Sequence, residues 1–195
     1  MSKVSVLIAV YNTEKYLAEC LDSLCSQTLQ DIQIICIDDC STDSSPEILQ
    51  RYAAEDSRLH IIRMPENSGQ AVARNKGLQI ADGEYIMMLD SDDWLAPDAI
   101  ERAYESITSA DDIDCALFDL YYYYQENQQT ERYQIRANQT SFSGEEAFIL
   151  SLDWSLHGLY LVKASIHQAY PYDTSCRLYS DDNTTRLHYL HSRRV

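Results

Sequence analysis

The chain of 195 residues is long enough for one domain, or for one domain with a small addition. Its 45% hydrophobic and 24% charged residues are ordinary for a globular protein. The formal net charge of −16 repels phosphodiester backbones and anionic lipids, which argues against nucleic acid as a partner.

The N-terminus carries no recognisable targeting signal. Its first apolar run, residues 4–10, is too short to span a bilayer and precedes no cleavage-site pattern. We therefore expect a cytoplasmic chain without a transmembrane segment, with peripheral association at the inner membrane surface as a variant of this location. In such a compartment the six cysteines are expected to stay reduced. Small buried hydrophobic side chains are the favoured interpretation of them, with a zinc site as the weaker alternative.

Strands and helices alternate from the N-terminus onward. The predicted strands are short, apolar and rich in β-branched residues, and the predicted helices carry apolar residues at helical spacing. The strands are predicted at residues 4–10, 32–37, 59–64 and 84–89, and the helices near 17–25, from 46, at 69–81 and at 96–109. This alternation favours an α/β fold with a mostly parallel sheet covered by helices on both faces.

Polar clusters follow several of these strands directly. They lie at residues 11–13, 38–39 and 90–93. Ligands bind beyond the carboxyl ends of the strands in sheets of this kind. Residues 1–110 therefore read as a ligand-binding α/β half in which the acidic residues meet in one crevice.

The second half, residues 111–195, is predicted to be a smaller mixed annex on the same core, so that the chain forms a single domain overall. Residues 113–124 read as one long strand that ends in four tyrosines, half of which alternation would send into the core, and residues 131–135 are expected to pair with it. Ser143 and Glu146 have the spacing of a helix capping box. Further helices are predicted at 163–169 and 182–191, and the polar segment 121–140 is expected to close over a ligand or meet a second one.

The stretch "MMLDSDDW" places Asp90, Asp92 and Asp93 at the end of an apolar strand. The chain has only five glycines and none of the glycine-rich motifs that cradle phosphates. A divalent cation held by carboxylates can neutralise a diphosphate instead, because Mg²⁺ and similar ions prefer oxygen ligands and leave positions open for phosphate. The alternative is a solvated turn in which one of the acids caps the next helix.

Four segments, in this order and spacing, resemble family 2 glycosyltransferases with the GT-A-type fold: "VSVLIAVYN", "IICIDDCSTDSS", "ENSGQAVARNKGL" and "GEYIMMLDSDDW". Two later segments, "LHGLYLVKASI" and "LYSDDNTTRLHYLHSRRV", resemble the acceptor-side half of the same family more loosely. The resemblance implies a Rossmann-like, mostly parallel sheet and a metal-dependent, inverting transfer of a sugar from a nucleotide-sugar donor.

On the donor side, the resemblance implies a role for several residues. A UDP-sugar is the expected donor and Mn²⁺ or Mg²⁺ the expected cofactor. Asp92 is the expected metal ligand, and Asp90 is expected at the metal and the ribose. The residues expected around the nucleoside are Ala9, Tyr11 and Asn12 beside the base, Asp39 at the uracil or ribose, and Arg74 near the base.

On the acceptor side, the resemblance implies a general base in "YSDDN". This role maps onto Asp182, with Asp181 at the position where the family usually has Glu. The structural alternative is that these acids stabilise the N-terminus of a helix. Gly158 stands where the family often has Lys, and the chain ends sooner than family members normally do, so we expect a shortened chain whose activity is reduced or absent.

The implied acceptor is a saccharide or glycolipid in the synthesis of a surface polysaccharide or glycolipid. A metal-dependent nucleotidyltransferase is the nearest alternative, although its basic N-terminal loop is missing here. A receiver-like signalling domain is a second alternative. It would need an acid pair after the first strand and a Lys after a later one, and "YYYYQENQQ" offers no Lys.

Overall fold

The computed structural model describes residues 1–133, 135–136, 139–175 and 179–195. The strands are β1 (Val4–Val10), β2 (Ile32–Asp38), β3 (Leu59–Arg63), β4 (Tyr85–Met88), β5 (Cys115–Leu117), β6 (Tyr121–Tyr124), β7 (Gln129–Arg132) and β8 (Tyr160–Lys163). The helices are α1 (Leu17–Cys25), α2 (Ser45–Glu55), α3 (Gln70–Leu78), α4 (Ala99–Thr108), α5 (Gly144–Leu152), α6 (Ala164–Ala169) and α7 (Ser180–Leu190).

The main sheet has the strand order β3-β2-β1-β4-β8-β5. Strands β1 to β4 run parallel, whereas β8 runs antiparallel to its neighbours β4 and β5. The expected α/β fold with a mostly parallel sheet flanked by helices is confirmed. The second half of the chain contributes β5 and β8 to the same sheet, with β8 inserted between β4 and β5.

Alternating side chains of the central strand serve two cores. Val4, Val6 and Ile8 of β1 pack into one hydrophobic cluster, together with the buried faces of α1 and α4. Leu7 points into a second cluster, which α3 closes on the other face of the sheet. Because both faces of β1 are covered, its sequence is an uninterrupted apolar run rather than an alternating one.

The annex has its own small core between α5, α7 and β8. The capping box predicted at Ser143 and Glu146 is present, since each side chain accepts a hydrogen bond from the other residue's backbone amide. Cys20, Cys36 and Cys115 are buried, as expected for small hydrophobic side chains, whereas Cys25 and Cys40 are only partly buried. Cys176 lies outside the described residues. Within the ranges described, no helix has the length and apolar character needed to cross a membrane.

The prediction of one long strand over residues 113–124 is wrong. The chain leaves the main sheet after β5, and β6 pairs only with β7, as a separate two-stranded hairpin. Tyr121 to Tyr124 are all exposed, by 40% to 60%, so the expectation that half of them enter the core is also wrong. The physical reason is that neither face of this hairpin is covered by a second layer, so alternation does not separate a buried face from an exposed one.

Candidate active site

A cleft of roughly 320 Å³ lies at the carboxyl ends of β1, β2 and β4. Strand register brings its walls together: Val10 is paired with Asp38, and Leu7 with Met88, so that the residues following the three strands meet at one edge. The lining residues are Ala9, Val10, Tyr11, Thr13, Asp39, Gln70, Asp90, Ser91, Asp92 and Asp181.

Most of the residues expected at the site line this cleft, namely Ala9, Tyr11, Asp39, Asp90, Asp92 and Asp181. Asn12, Arg74 and Asp182 do not line it. Thr13, Gln70 and Ser91 also line it, although the sequence predicted no individual role for them. Their only sequence signal is position, because each lies in a segment that follows a strand at this edge of the sheet.

Asp39 is fixed in place by the loop that precedes α3. Its two carboxylate oxygens each accept a hydrogen bond at 2.8 Å, one from the backbone amide of Ser68 and one from that of Gly69. Gly69 has φ = +90°, a conformation that favours glycine. Asp39 therefore holds the start of α3 against the cleft wall, with its carboxylate pre-oriented.

Asn12 joins the loops after β1 and β2. It has φ = +53°, its side-chain oxygen accepts a hydrogen bond at 2.8 Å from the backbone amide of Thr42, and its own amide donates to Ser41 Oγ at 3.1 Å. The described contacts of Asn12 are therefore structural ones at the rim, and its expected place beside a nucleobase stays a prediction.

The acidic turn, Asp90 to Asp93, is closed by a hydrogen bond of 3.1 Å from the amide of Asp93 to the carbonyl of Asp90. Partial burial of its carboxyl, together with repulsion from Asp90 and Asp92, raises the pKa of Asp93 to about 6. Negative charge is thus concentrated in this turn, and a cation is the kind of group that offsets it.

The turn has a donor set that suits Mg²⁺ or Mn²⁺, because Asp90 and Asp92 present hard carboxylate oxygens to the cleft. Among the described residues, no three side chains of His, Cys, Asp or Glu converge into a complete metal site. A divalent ion held by Asp90 and Asp92 would therefore take its remaining ligands from water and from a bound diphosphate.

Arg74 lies beneath the acidic turn. Its side chain is 1% exposed, forms an ion pair with Asp90 and lies over the ring of Tyr172, with 5.5 Å between guanidinium carbon and ring centroid. Within the described residues, Nε and Nη1 of Arg74 have no hydrogen-bond partner. Arg74 is thus an internal counter-charge for the turn, and its expected proximity to a nucleobase stays a prediction.

Asp181 and Asp182 occupy the first turn of α7 but have different surroundings. Asp181 lines the cleft together with Asp90 and Asp92. Asp182 is largely buried, and its Oδ1 lies 3.9 Å from Nδ1 of His157. Burial and the neighbouring charge of Asp181 raise the pKa of Asp182, and burial lowers the pKa of His157.

Gly158 has φ = +151°, where an L side chain is strained. A Cβ at this position would also lie 3.2 Å from Cδ1 of Leu120. The backbone here thus suits glycine, and a lysine at position 158 would require the loop to shift.

Comparison with known proteins gives one consistent family. The sequence profile described as Glycosyl transferase family 2 matches residues 5–169. The putative glycosyltransferase EpsH of Bacillus subtilis (strain 168) is 46% identical over 114 residues, which are 58% of this chain and 32% of that protein. The chain therefore spans about a third of the length of this curated relative.

Two solved structures share the fold. Staphylococcus aureus TarS 1–349 in complex with UDP-GlcNAc superposes with a TM-score of 0.81 at 23% identity, over 98% of this chain and 54% of that one. Mannosyltransferase PcManGT from Pyrobaculum calidifontis, in complex with GDP-Man and Mn²⁺, has a TM-score of 0.73 at 21% identity, over 98% and 53%. The mostly parallel sheet flanked by helices is thus a known fold.

Proposed function

This chain belongs to glycosyl transferase family 2, and from that premise we propose that it transfers a sugar from a nucleotide-sugar donor to a hydroxyl group, with inversion at the anomeric carbon. The observation that carries the proposal is the cleft itself, whose lining includes Asp39, Asp90 and Asp92 from the first half of the chain and Asp181 from the annex. The product belongs to the synthesis of a surface polysaccharide or glycolipid.

The donor is a UDP-sugar. Support comes from Asp39, whose oriented carboxylate lies at the cleft wall where the family binds the nucleoside, and from the UDP-GlcNAc complex of TarS. The Mn²⁺ in the PcManGT complex supports a divalent ion here too, held by Asp90 and Asp92. When bound, that ion supplies stabilisation of the negative charge that develops on the departing diphosphate.

The general base is the carboxylate of Asp181, because this side chain, unlike Asp182, reaches the cleft. It takes the proton of the acceptor hydroxyl as the acceptor oxygen forms its bond to C1 of the sugar. The bond between C1 and the diphosphate oxygen breaks at the same time, and the nucleoside diphosphate leaves from the opposite face, which inverts C1. Asp182, the residue expected from the sequence, is the alternative base.

Nucleotide titration tests the donor assignment. UDP, GDP and dTDP are titrated calorimetrically with and without Mn²⁺ into the wild type, Asp92→Ala and the control Asp93→Asn, whose residue belongs to the same turn but does not line the cleft. We expect Mn²⁺ to tighten the binding of UDP by about tenfold or more in the wild type and the control, and Asp92→Ala to lose this gain. Equal binding by the wild type and Asp92→Ala would contradict the proposal.

A further inference from the structure

Four aromatic side chains outside the donor cleft form a connected cluster, which we call the aromatic surface. Its members are Tyr122, Tyr133, Trp154 and His157. They come from three parts of the chain: strand β6, the segment after β7, and the loop between α5 and β8. Folding therefore assembles this surface, and no local sequence motif marks it.

The rings contact one another mainly by their edges. Tyr122 and Tyr133 meet edge to face with centroids 6.3 Å apart, and Tyr133 meets His157 in the same way at 6.2 Å. Tyr122 is 50% exposed and Trp154 is 46% exposed. An edge-to-face contact covers little of a ring, so electron-rich ring faces remain open to a ligand.

The aromatic surface is also held in place. The Tyr133 hydroxyl donates a hydrogen bond of 2.6 Å to the carbonyl of Trp154, and the backbone amide of Tyr133 donates to the carbonyl of Leu120 at 2.9 Å. The ring of Trp154 packs on His157 with centroids 4.5 Å apart. A ligand that stacks here meets preordered rings and loses less side-chain entropy on binding.

One end of the aromatic surface adjoins the reactive groups. His157 Nδ1 lies 3.9 Å from Oδ1 of Asp182, the neighbour of the proposed base Asp181. A molecule stacked on these rings would therefore reach the acceptor side of the cleft.

The charge of the protein selects among possible ligands. The chain carries a formal net charge of −16. Close to the aromatic surface, Arg132 and Arg136 offset part of the charge of Glu126, Glu131 and Asp153, and Arg132 is itself paired with Asp119. The net negative charge of the whole chain disfavours a phosphate-bearing acceptor or an anionic lipid surface. An uncharged sugar is not repelled, and the C–H groups on one face of a sugar ring are attracted to the electron-rich face of an aromatic ring.

We infer that the aromatic surface is the acceptor-binding site and that it takes an uncharged saccharide, stacked on the rings of Tyr122, Trp154 and their neighbours. This inference rests on the proposed transferase function and specifies its acceptor class. A second copy of the chain and an anionic membrane are the other occupants that such an exposed apolar surface could have, and the test below separates them.

The test uses Tyr122→Ala and Trp154→Ala, with Tyr121→Ala as the matched control. Tyr121 is on the same strand and is 60% exposed, but it makes no ring contact among the described residues. Each protein is titrated with four neutral oligosaccharides: cellopentaose, chitopentaose, mannopentaose and galactopentaose. A poly(ribitol phosphate) chain tests a phosphate-bearing acceptor, and phosphatidylglycerol vesicles test an anionic membrane. Sedimentation over a range of protein concentrations tests binding to a second copy. UDP with Mn²⁺ is titrated in parallel.

We expect the wild type and Tyr121→Ala to bind at least one neutral oligosaccharide, and the two surface variants to bind it about tenfold more weakly or not at all. The affinity for UDP should be the same in all four proteins, so a failure of the acceptor site is distinguishable from a failure of donor binding. The inference is overturned if no neutral oligosaccharide binds, if binding survives both substitutions, or if the poly(ribitol phosphate) chain binds more tightly than every neutral oligosaccharide. Vesicle binding or dimerisation that the same substitutions abolish, without saccharide binding, would assign the surface to a membrane or a second copy.

Discussion

Arg74 and Asp90 form an ion pair whose two partners differ greatly in exposure. The Arg74 side chain is 1% exposed, whereas that of Asp90 is 42% exposed. Arg74, a buried residue of α3 that does not line the cleft, thus supplies one positive charge to the acidic turn. This pair explains how the turn keeps three carboxylates close together at the end of a strand.

We predict that Arg74→Met destabilises the protein. The substitution keeps most of the buried volume but removes the counter-charge, so that Asp90 is left beside Asp92 and Asp93 without compensation. Because Asp90 is partly solvated, we expect a loss of about 2 kcal/mol in the free energy of unfolding at low ionic strength, measured by urea denaturation.

The matched control is Arg102→Met. Arg102 forms an exposed pair with Asp98 at 3.9 Å on α4, and such surface pairs contribute about 0.5 kcal/mol or less. Moderate salt should recover part of the stability of Arg74→Met, because it screens repulsion between the remaining carboxylates. Equal losses in the two variants would show that the buried position of Arg74 has no special role in stabilising the turn.

The roles of Asp181 and Asp182 separate in single-turnover transfer assays. We predict that Asp181→Asn lowers the rate constant of transfer by about 10²–10⁴-fold, because an amide cannot take the acceptor proton. UDP affinity in the presence of Mn²⁺ should change little, which distinguishes loss of the base from loss of donor binding. Full activity of Asp181→Asn combined with an inactive Asp182→Asn would assign the base to Asp182.

A pair of buried histidines makes the annex sensitive to acid. His167 and His188 are almost fully buried, with ring centroids 4.4 Å apart. Burial, with the nearby charge of His188, lowers the pKa of His167 from 6.5 to about 3, and burial lowers that of His188 to about 4. In the unfolded chain both rings take up a proton near pH 6.5.

The sign of the effect follows from these shifts. Above pH 6.5 both histidines are neutral in both states, and the fold keeps its full stability; below it the unfolded state binds more protons, and stability falls as the pH falls towards 4 and 3. Each histidine contributes a slope of up to about 1.4 kcal/mol per pH unit.

We predict that His167→Phe makes the unfolding free energy depend less on pH between 7.5 and 5.5, and that it removes about half of the histidine contribution. Phenylalanine keeps a ring against Tyr172 but cannot titrate, so only the proton-linked part changes. The control His60→Phe replaces an exposed ring on β3, and its unfolding free energy should depend on pH as that of the wild type does. An unchanged slope in His167→Phe would contradict the prediction.

Much of the donor half could be predicted from sequence because its signals are local. A covered parallel strand requires a short continuous apolar run, and β1, β2 and β4 have one, each followed by polar residues at the edge where a ligand binds. The same pattern predicts that Asp39, Asp90 and Asp92 lie at one cleft, and all three line it. The capping box at the start of α5 is equally local and was predicted with its residues.

The errors concern elements whose neighbours are distant in sequence. Tyr121 to Tyr124 favour a strand whether they belong to the main sheet or to a separate hairpin. All four are exposed because β6 pairs only with β7, away from the main sheet. The ion pair between Arg74 and Asp90 was also not predictable, because a position on a helix does not show which distant side chain the guanidinium meets inside the protein.

The amino-acid sequence by itself determined the alternation of strands and helices, the position of the acidic turn at a strand end and the net negative charge. Only the tertiary structure decided that Asp181 faces the cleft while Asp182 faces His157, and that four aromatic residues from three parts of the chain share one surface. Successive side chains of a helix point about 100° apart, so the choice between two adjacent aspartates depends on how the whole of α7 packs against its neighbours.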